Sequence, residues 1–169
     1  MDSSSESTFI ELILYNNWAN QQVLQACQNL SEDQLARVIP GAYGTIRATL
    51  VHIIRAETLY LRLLTGSSPK PPFKWEDQPN LVEITAYAAQ VGDALVEMAQ
   101  HTLPTDQVID EDEGKQYHYR ALAVFIQIIN HGIEHRTNIT TILNQGLATP
   151  PKVDGWGYLD AHLDRFGYR

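Results

Sequence analysis

Apolar side chains recur at intervals of three and four residues along four long stretches of the chain, the spacing that places them on one face of an α-helix. Asn80 followed by Glu83 is a helix-start signature before the third stretch. Gly66 and Gly146 follow the second and fourth stretches, where glycine commonly ends a helix. Four amphipathic helices of this length predict an all-α protein folded as a four-helix bundle. The predicted helices span residues 8–30, 45–65, 81–103 and 120–145.

The segments outside these helices predict three further features. The connection after the second helix, GSSPKPPFKWEDQP, holds four prolines, and its length permits a long crossover connection in place of simple up-and-down order. Residues 106–119 place two apolar residues before an acidic run with Gly114, and tyrosines after it, which predicts a short β-hairpin. The residues after Pro150 are too aromatic for a disordered end, so we expect them to pack back on the bundle with a short helix near 157–164.

The size and composition suit one domain. The chain has 169 residues, of which 44% are hydrophobic and 19% charged, and a chain of this length can bury a sizeable core without disulfides. We predict a single domain over residues 1–169, in which residues 1–7 form a frayed N-terminal tail. No run reaches the roughly 20 apolar residues that a membrane helix needs, and the polar, acidic start is unlike a secretory signal. These features predict a cytoplasmic protein with no membrane partner.

The charge balance bears on nucleic-acid partners, and the single cysteine bears on disulfide and thiol chemistry. The chain carries 12 Lys and Arg against 20 Asp and Glu, a net charge of −8, and an acidic surface repels the phosphates of nucleic acids. We therefore expect no nucleic-acid partner. Cys27 cannot form an internal disulfide and lies on an apolar helix face, where we expect a small core residue and not a nucleophile.

Three of the six histidines have the placement of a metal site. His131 and His135 are four residues apart on the fourth helix, which puts both imidazoles on one face, and His135 falls on the apolar stripe. Gly132 between them removes a side chain, so that another group can come close. His52 lies near the buried side of the second helix. Three neutral imidazoles with open coordination positions are typical of a catalytic metal site; the alternative is three polar residues at the edge of the core, each with a hydrogen-bond partner.

Two charged residues near these histidines are also candidates. Glu57, five residues after His52, lies too far round the helix to share an ion with it. Because Glu57 falls on the apolar stripe, we predict a general base or a group that orients the site, the alternative being a tolerated boundary carboxylate. Arg136 is predicted to form a structural ion pair in preference to binding a substrate carboxylate. The other histidines show no partner pattern and are expected at the surface: His101, His118 and His162.

Three motifs occur in order along the chain: YNNWAN at residues 15–20, TLVHIIRAETLYLRLLTG at 49–66 and NHGIEHRTNITTIL at 130–143. They resemble the first, second and last bundle helices of the DinB/YfiT-like family of four-helix-bundle proteins. The glycine- and proline-containing segment 146–154 also fits that family. The resemblance covers nearly the whole chain. It implies a bundle with unusual connectivity and a three-histidine site for a divalent metal ion, commonly nickel or zinc.

The resemblance also implies a function. The family's metal histidines fall on His52, His131 and His135, homodimers are common, and characterised relatives include thiol-dependent S-transferases and isomerases. We therefore predict a metal-dependent S-transferase that joins a low-molecular-weight thiol to a small electrophilic substrate. A metal-dependent hydrolase that activates water, a non-catalytic module that binds a metal or small ligand, and a structural dimer with a vestigial site are the alternatives. Many members carry histidine and glutamine where this chain has Glu134 and Asn138. These differences bear on the identity of the substrate and not on metal binding.

Overall fold

The computed structural model describes residues 3–74 and 76–166. Four long helices form a bundle, and the predicted all-α fold with a small hairpin is confirmed. The long helices are α1 (Ser3–Cys27), α3 (Ile46–Thr65), α4 (Leu81–His101) and α5 (Ala121–Leu143). The shorter elements are α2 (Glu32–Leu35), β1 (Gln107–Asp112), β2 (Lys115–Arg120), α6 (Gly155–Ala161) and α7 (Leu163–Phe166). Within these described elements, no helix is long and apolar enough to cross a membrane.

The helix ends follow the capping residues in the sequence. Ser31 and Gln34 form a capping box at α2, and Asn80 and Glu83 form another at α4. α3 ends at Gly66, whose φ of 77° is the left-handed conformation that glycine adopts without strain. These boundaries depend on local backbone chemistry, and the predicted limits of α3 and α4 are accordingly close to the observed ones.

α1 begins earlier than the apolar pattern predicts. Its first described residue is Ser3, so the helix enters the segment 1–7 that the sequence predicts as a frayed tail. The Ser and Glu residues of that segment neither break a helix nor add to an apolar stripe, so periodicity alone places the start too late. Met1 and Asp2 lie outside the described residues.

α3 and α4 run in the same direction. At one end, Arg47 of α3 donates a hydrogen bond to the carbonyl oxygen of Pro79, just before α4. At the other end, Leu61 of α3 and Met98 of α4 line one cavity. The connection 66–80 therefore returns along the length of the bundle, which confirms the predicted crossover.

This connectivity determines which helices are neighbours. Around the bundle the order is α1, α4, α3, α5. α1 and α5 are parallel, because Phe9 packs on Phe125 with 5.2 Å between ring centroids and Asn20 contacts Arg136 further along both helices. α3 runs antiparallel to α5. The contacts between the two helices bring the middle of α3 against the middle of α5.

β1 and β2 form a hairpin between α4 and α5. Asp112 pairs with Lys115 in the antiparallel register. Glu113 and Gly114 between them have φ values of 48° and 74°, which is the backbone of a tight two-residue hairpin turn. Val108 is buried and anchors the hairpin to the bundle.

The C-terminal segment packs on α1, as its aromatic content predicts. Tyr158 of α6 donates a hydrogen bond of 2.6 Å to Glu11, and its ring centroid lies 5.2 Å from that of Trp18. The expectation that His162 lies at the surface is wrong: it is half-buried beside Trp18, and its Nδ1 is 2.8 Å from the carbonyl oxygen of Tyr158. That environment depends on which residues of α1 the tail packs against, and the aromatic content of the tail does not specify them.

Cys27 lies in the core, as predicted. Its side chain is fully buried and free, and burial raises the pKa of the thiol to about 12. The thiol therefore stays protonated at neutral pH and out of reach of a substrate. Because this is the chain's single cysteine, any thiol chemistry here requires a thiol from outside the protein.

Candidate metal centre

His52, His131 and His135 converge where α3 crosses α5. The Nε2 atoms of His52 and His131 are 3.0 Å apart, and the centroid of the His135 ring lies 4.5 Å from that of His52 and 4.4 Å from that of His131. One nitrogen of each histidine lies within 4.8 Å of the others, so the three could hold one metal ion. The spacing on α5 supplies two of the imidazoles, and the antiparallel packing of α3 supplies the third.

The arrangement of ring nitrogens suits a cation. Nδ1 of His135 is buried and has no hydrogen-bond partner among the described residues, although a buried polar atom normally has one. Zinc bound by imidazoles at about 2.0–2.1 Å would place its ligand nitrogens roughly 3.4 Å apart. That distance lies between the 3.0 Å that separates His52 Nε2 from His131 Nε2 and the 4.8 Å within which all three donor nitrogens lie. Three imidazole donors fit zinc, nickel, iron or copper by their chemistry.

The imidazoles are neutral at physiological pH. Burial, with smaller effects from His135, His52 and Arg136, lowers the pKa of His131 to about 4. Burial also lowers the pKa of His52 and of His135, and Glu134 offsets part of the effect at His135. Neutral imidazole is the form that donates a lone pair to a metal, so no proton has to be removed before binding.

Tyr43 adds a contact that residue spacing does not predict. Its ring stacks on His52 with 4.4 Å between centroids, and its hydroxyl lies 3.0 Å from His52 Nδ1. The backbone N–H of Tyr43 donates a hydrogen bond of 3.2 Å to Oδ1 of Asn138 on α5. The loop before α3 is thus tied to α5, and Nδ1 of His52 is engaged while its Nε2 faces His131. The turn residues Gly41 and Gly44 mark this segment as a loop, but they do not indicate which side chain reaches the site.

We expect Tyr43→Phe to lower zinc affinity by about 10-fold, because partners that orient a metal-binding histidine are typically worth 10- to 100-fold. The substitution keeps the stacked ring and removes the hydroxyl that holds His52 Nδ1. Competition with a chromophoric chelator measures the affinity, and Tyr117→Phe, on the exposed hairpin, is the matched control. An unchanged affinity would show that the hydroxyl does not orient His52.

A buried polar network lies beside the histidines and joins three helices. The Glu57 carboxylate on α3 accepts hydrogen bonds from Asn16 Nδ2 at 2.7 Å and from Asn20 Nδ2 at 2.8 Å. The Arg136 guanidinium on α5 donates to the side-chain oxygens of the same two asparagines, at 2.8 and 2.7 Å. Two amides of α1 therefore bridge an acid and a base, and Glu57 and Arg136 are each only 2% exposed.

This network gives a role to the asparagines of the YNNWAN motif and to the buried charges of Glu57 and Arg136. Asn16 and Asn20 are the first and last asparagines of the YNNWAN motif, and their amides can donate to a carboxylate and accept from a guanidinium at the same time. Burial raises the pKa of Glu57, while the two asparagines and the charge of Arg136 oppose that rise. The side-chain amides of α1 thus connect Arg136 to the buried carboxylate of Glu57. The general-base role of Glu57 stays a prediction.

Gly132 makes the close packing of this network possible. A Cβ atom at this position would lie 2.6 Å from Arg136 Nη1 and 2.6 Å from Asn16 Oδ1. Both atoms belong to one hydrogen bond of the network. The absence of a side chain between His131 and His135 therefore admits the Arg136–Asn16 contact, in agreement with the predicted role of the glycine.

A cavity of about 400 Å³ opens beside His52. His52, Tyr43, Val51 and Arg55 line one side of it, and the loop 76–79 lines another. Its size is in the range of small-molecule sites. A small substrate could therefore approach the centre from the His52 side.

Comparison with known proteins gives the family of the chain and a solved structure of similar fold. The family model described as the DinB family matches residues 1–165. The crystal structure of a DinB-like protein from Bacillus cereus ATCC 10987 is similar in fold, with a TM-score of 0.67 and 21% identity over 86% of this chain and 95% of that chain. No curated protein matches the chain. The resemblance predicted from the three motifs is confirmed by the match over nearly the whole sequence, and the chain belongs to the DinB family.

Proposed function

We propose that the protein is a metal-dependent S-transferase that joins a low-molecular-weight thiol to a small electrophilic substrate. The observation that carries the proposal is the convergence of three neutral imidazoles beside an open cavity. His52, His131 and His135 would hold the divalent ion, for which we propose nickel or zinc. The chemistry that such an ion supplies when bound is a lower pKa for a thiol, so that thiolate is available at neutral pH.

The chain's own residues would position the reactants. In the reaction, the thiol gives its proton to solvent and its sulfur forms a bond to an electrophilic carbon. The bond between that carbon and the leaving group breaks, and the leaving group departs into solvent with the electron pair of that bond. The cavity beside His52 would keep the two substrates together. The contacts of Glu57 with Asn16 and Asn20 support an orienting role for this carboxylate more directly than proton transfer. We propose the cytoplasm as the location, since free thiols persist in a reducing compartment.

The test combines metal analysis with a thiol conjugation assay. Purified protein is stripped of metal and reloaded with zinc or nickel, and the assay follows conjugation of several thiols to monochlorobimane. We expect one ion per chain, turnover with at least one thiol and loss of turnover with EDTA. His131→Ala should lose both metal and activity, whereas the exposed His118→Ala control should keep them. The proposal fails if the protein holds no stoichiometric metal, or if His131→Ala leaves metal content unchanged.

Parallel assays on the metal-loaded protein separate the alternative functions. Metal-dependent turnover of an ester or amide without any thiol would indicate a hydrolase that activates water. Stoichiometric metal with no turnover of either kind would indicate a metal- or ligand-binding module.

We further propose a homodimer, on the basis of exposed apolar side chains along α5 and the neighbouring face of α1. Ile126 and Ile133 on α5 are 52% and 43% exposed, and Leu12 on α1 is 41% exposed. Contiguous exposed apolar surface commonly marks an interface, and two-fold symmetry would pair this face with its copy. We expect an Ile126→Glu, Ile133→Glu variant to be monomeric in light scattering, with Val82→Glu on α4 as an exposed apolar control. A wild-type monomer, or a variant that stays dimeric, would exclude this interface.

A further inference from the structure

A second cavity of about 400 Å³ lies against the C-terminal half of α3 and the start of the crossover connection. Arg55, Arg62 and Lys70 line it, together with Ser67 and Ser68. No Asp or Glu occurs among the described residues around this cavity. In a chain with a net charge of −8, three cations around one cavity form a local positive region, which we call the tricationic cavity.

The tricationic cavity adjoins the cavity beside the metal centre. Arg55 lines both of them. On α3, Arg55 follows His52 by three residues, a rise of about 4.5 Å, and Arg62 lies about 10 Å further along the axis. The charge of Arg55 also contributes to the lowered pKa of His52, after burial and His135, which agrees with their proximity. One extended molecule could therefore occupy both cavities.

We infer that the tricationic cavity binds the carboxylate groups of the thiol cosubstrate while its sulfur lies at the three-histidine centre. Guanidinium groups bind carboxylates with two parallel hydrogen bonds, lysine adds a third cation, and the serine hydroxyls add donors. The position of the sulfur rests on the proposed function. The binding of carboxylates rests on the cavity itself, so the two parts can be tested separately.

The experiment uses zinc-loaded protein and three probes in calorimetric titrations. S-methylglutathione carries two carboxylates and no free thiol, glutathione carries both, and 2-mercaptoethanol carries the thiol alone. We expect S-methylglutathione to bind, more weakly at high salt because the cations are exposed. The variant Arg62→Gln, Lys70→Gln should lower its affinity by about 3- to 10-fold, since each of the two exposed charge pairs contributes modestly.

A matched variant and the other two probes complete the test. Arg37→Gln, Lys115→Gln also removes two exposed cations, outside both cavities, and should leave affinity unchanged. Equal zinc content in all variants excludes an effect on the metal centre. If S-methylglutathione does not bind, or binds the two double variants equally, the inference is overturned. If S-methylglutathione binds as expected, but glutathione binds no more tightly and 2-mercaptoethanol does not bind, the two parts separate. Carboxylate binding by the tricationic cavity is then supported, and the proposed thiol function fails.

Discussion

Replacing Arg136 with methionine is expected to destabilise the protein by about 3–5 kcal/mol, the usual result of removing one partner of a buried charged pair. Arg136 and Glu57 are each 2% exposed, and the amides of Asn16 and Asn20 connect them. Without the guanidinium, the Glu57 carboxylate stays buried with no cation, and both asparagine oxygens lose a donor. The free energy of unfolding of the metal-free protein, measured in urea, reports the loss.

The pH dependence of this loss has a definite sign. Burial already raises the pKa of Glu57 above 4.5, and the charge of Arg136 opposes that rise, so Arg136→Met should raise the pKa further. The folded variant then keeps a proton that the unfolded chain releases, and its stability falls as the pH rises from 4.5 through the raised pKa. The variant should therefore lose more stability at pH 8 than at pH 5.

A double variant keeps this prediction testable if Arg136→Met folds poorly. Glu57→Gln, Arg136→Met removes both charges and should recover a substantial part of the lost stability, because an uncharged pair has no uncompensated buried ion. It should also lose the extra pH dependence. A loss below about 1 kcal/mol in the single variant, or the same loss at both pH values, would contradict the role given to the network.

Gly132→Ala is expected to destabilise the protein by about 2–4 kcal/mol, from overpacking together with a disrupted buried hydrogen bond. In an exposed helix interior the same change would stabilise by about 1 kcal/mol. Here the new methyl group would lie 2.6 Å from both Arg136 Nη1 and Asn16 Oδ1. Both atoms are the ends of side chains held by the buried network, so a shift of either one strains the hydrogen bond of 2.8 Å between them.

Thermal and urea unfolding measure this effect, with Gly155→Ala as the control. A Cβ at Gly155, the first residue of α6, would meet no atom within 4 Å, so that variant should change stability little. Zinc affinity should also fall in Gly132→Ala, because the displaced turn of α5 carries both His131 and His135. A Gly132→Ala variant as stable as wild type would mean that the network can move aside.

Much of the fold could be predicted because its determinants are local. The periodicity of apolar residues identifies the four long helices, and capping residues such as Asn80 and Gly66 mark their ends. The alternation around Gly114 identifies the hairpin in the same way. The prediction is less accurate at the start of α1, where polar residues continue the helix without adding to its apolar stripe.

The sequence by itself determined that His131 and His135 share a face of one helix, since four residues make about one turn. It also determined that Gly132 leaves room between them. The sequence also named His52 as a third ligand, but only the tertiary structure decided how close it comes: its Nε2 lies 3.0 Å from that of His131, 79 residues away. Only the tertiary structure decided that Tyr43 holds the His52 ring and that the asparagines of α1 join Glu57 to Arg136. These contacts depend on which helices become neighbours after the crossover, and that choice depends on packing of the whole core, which no local spacing encodes.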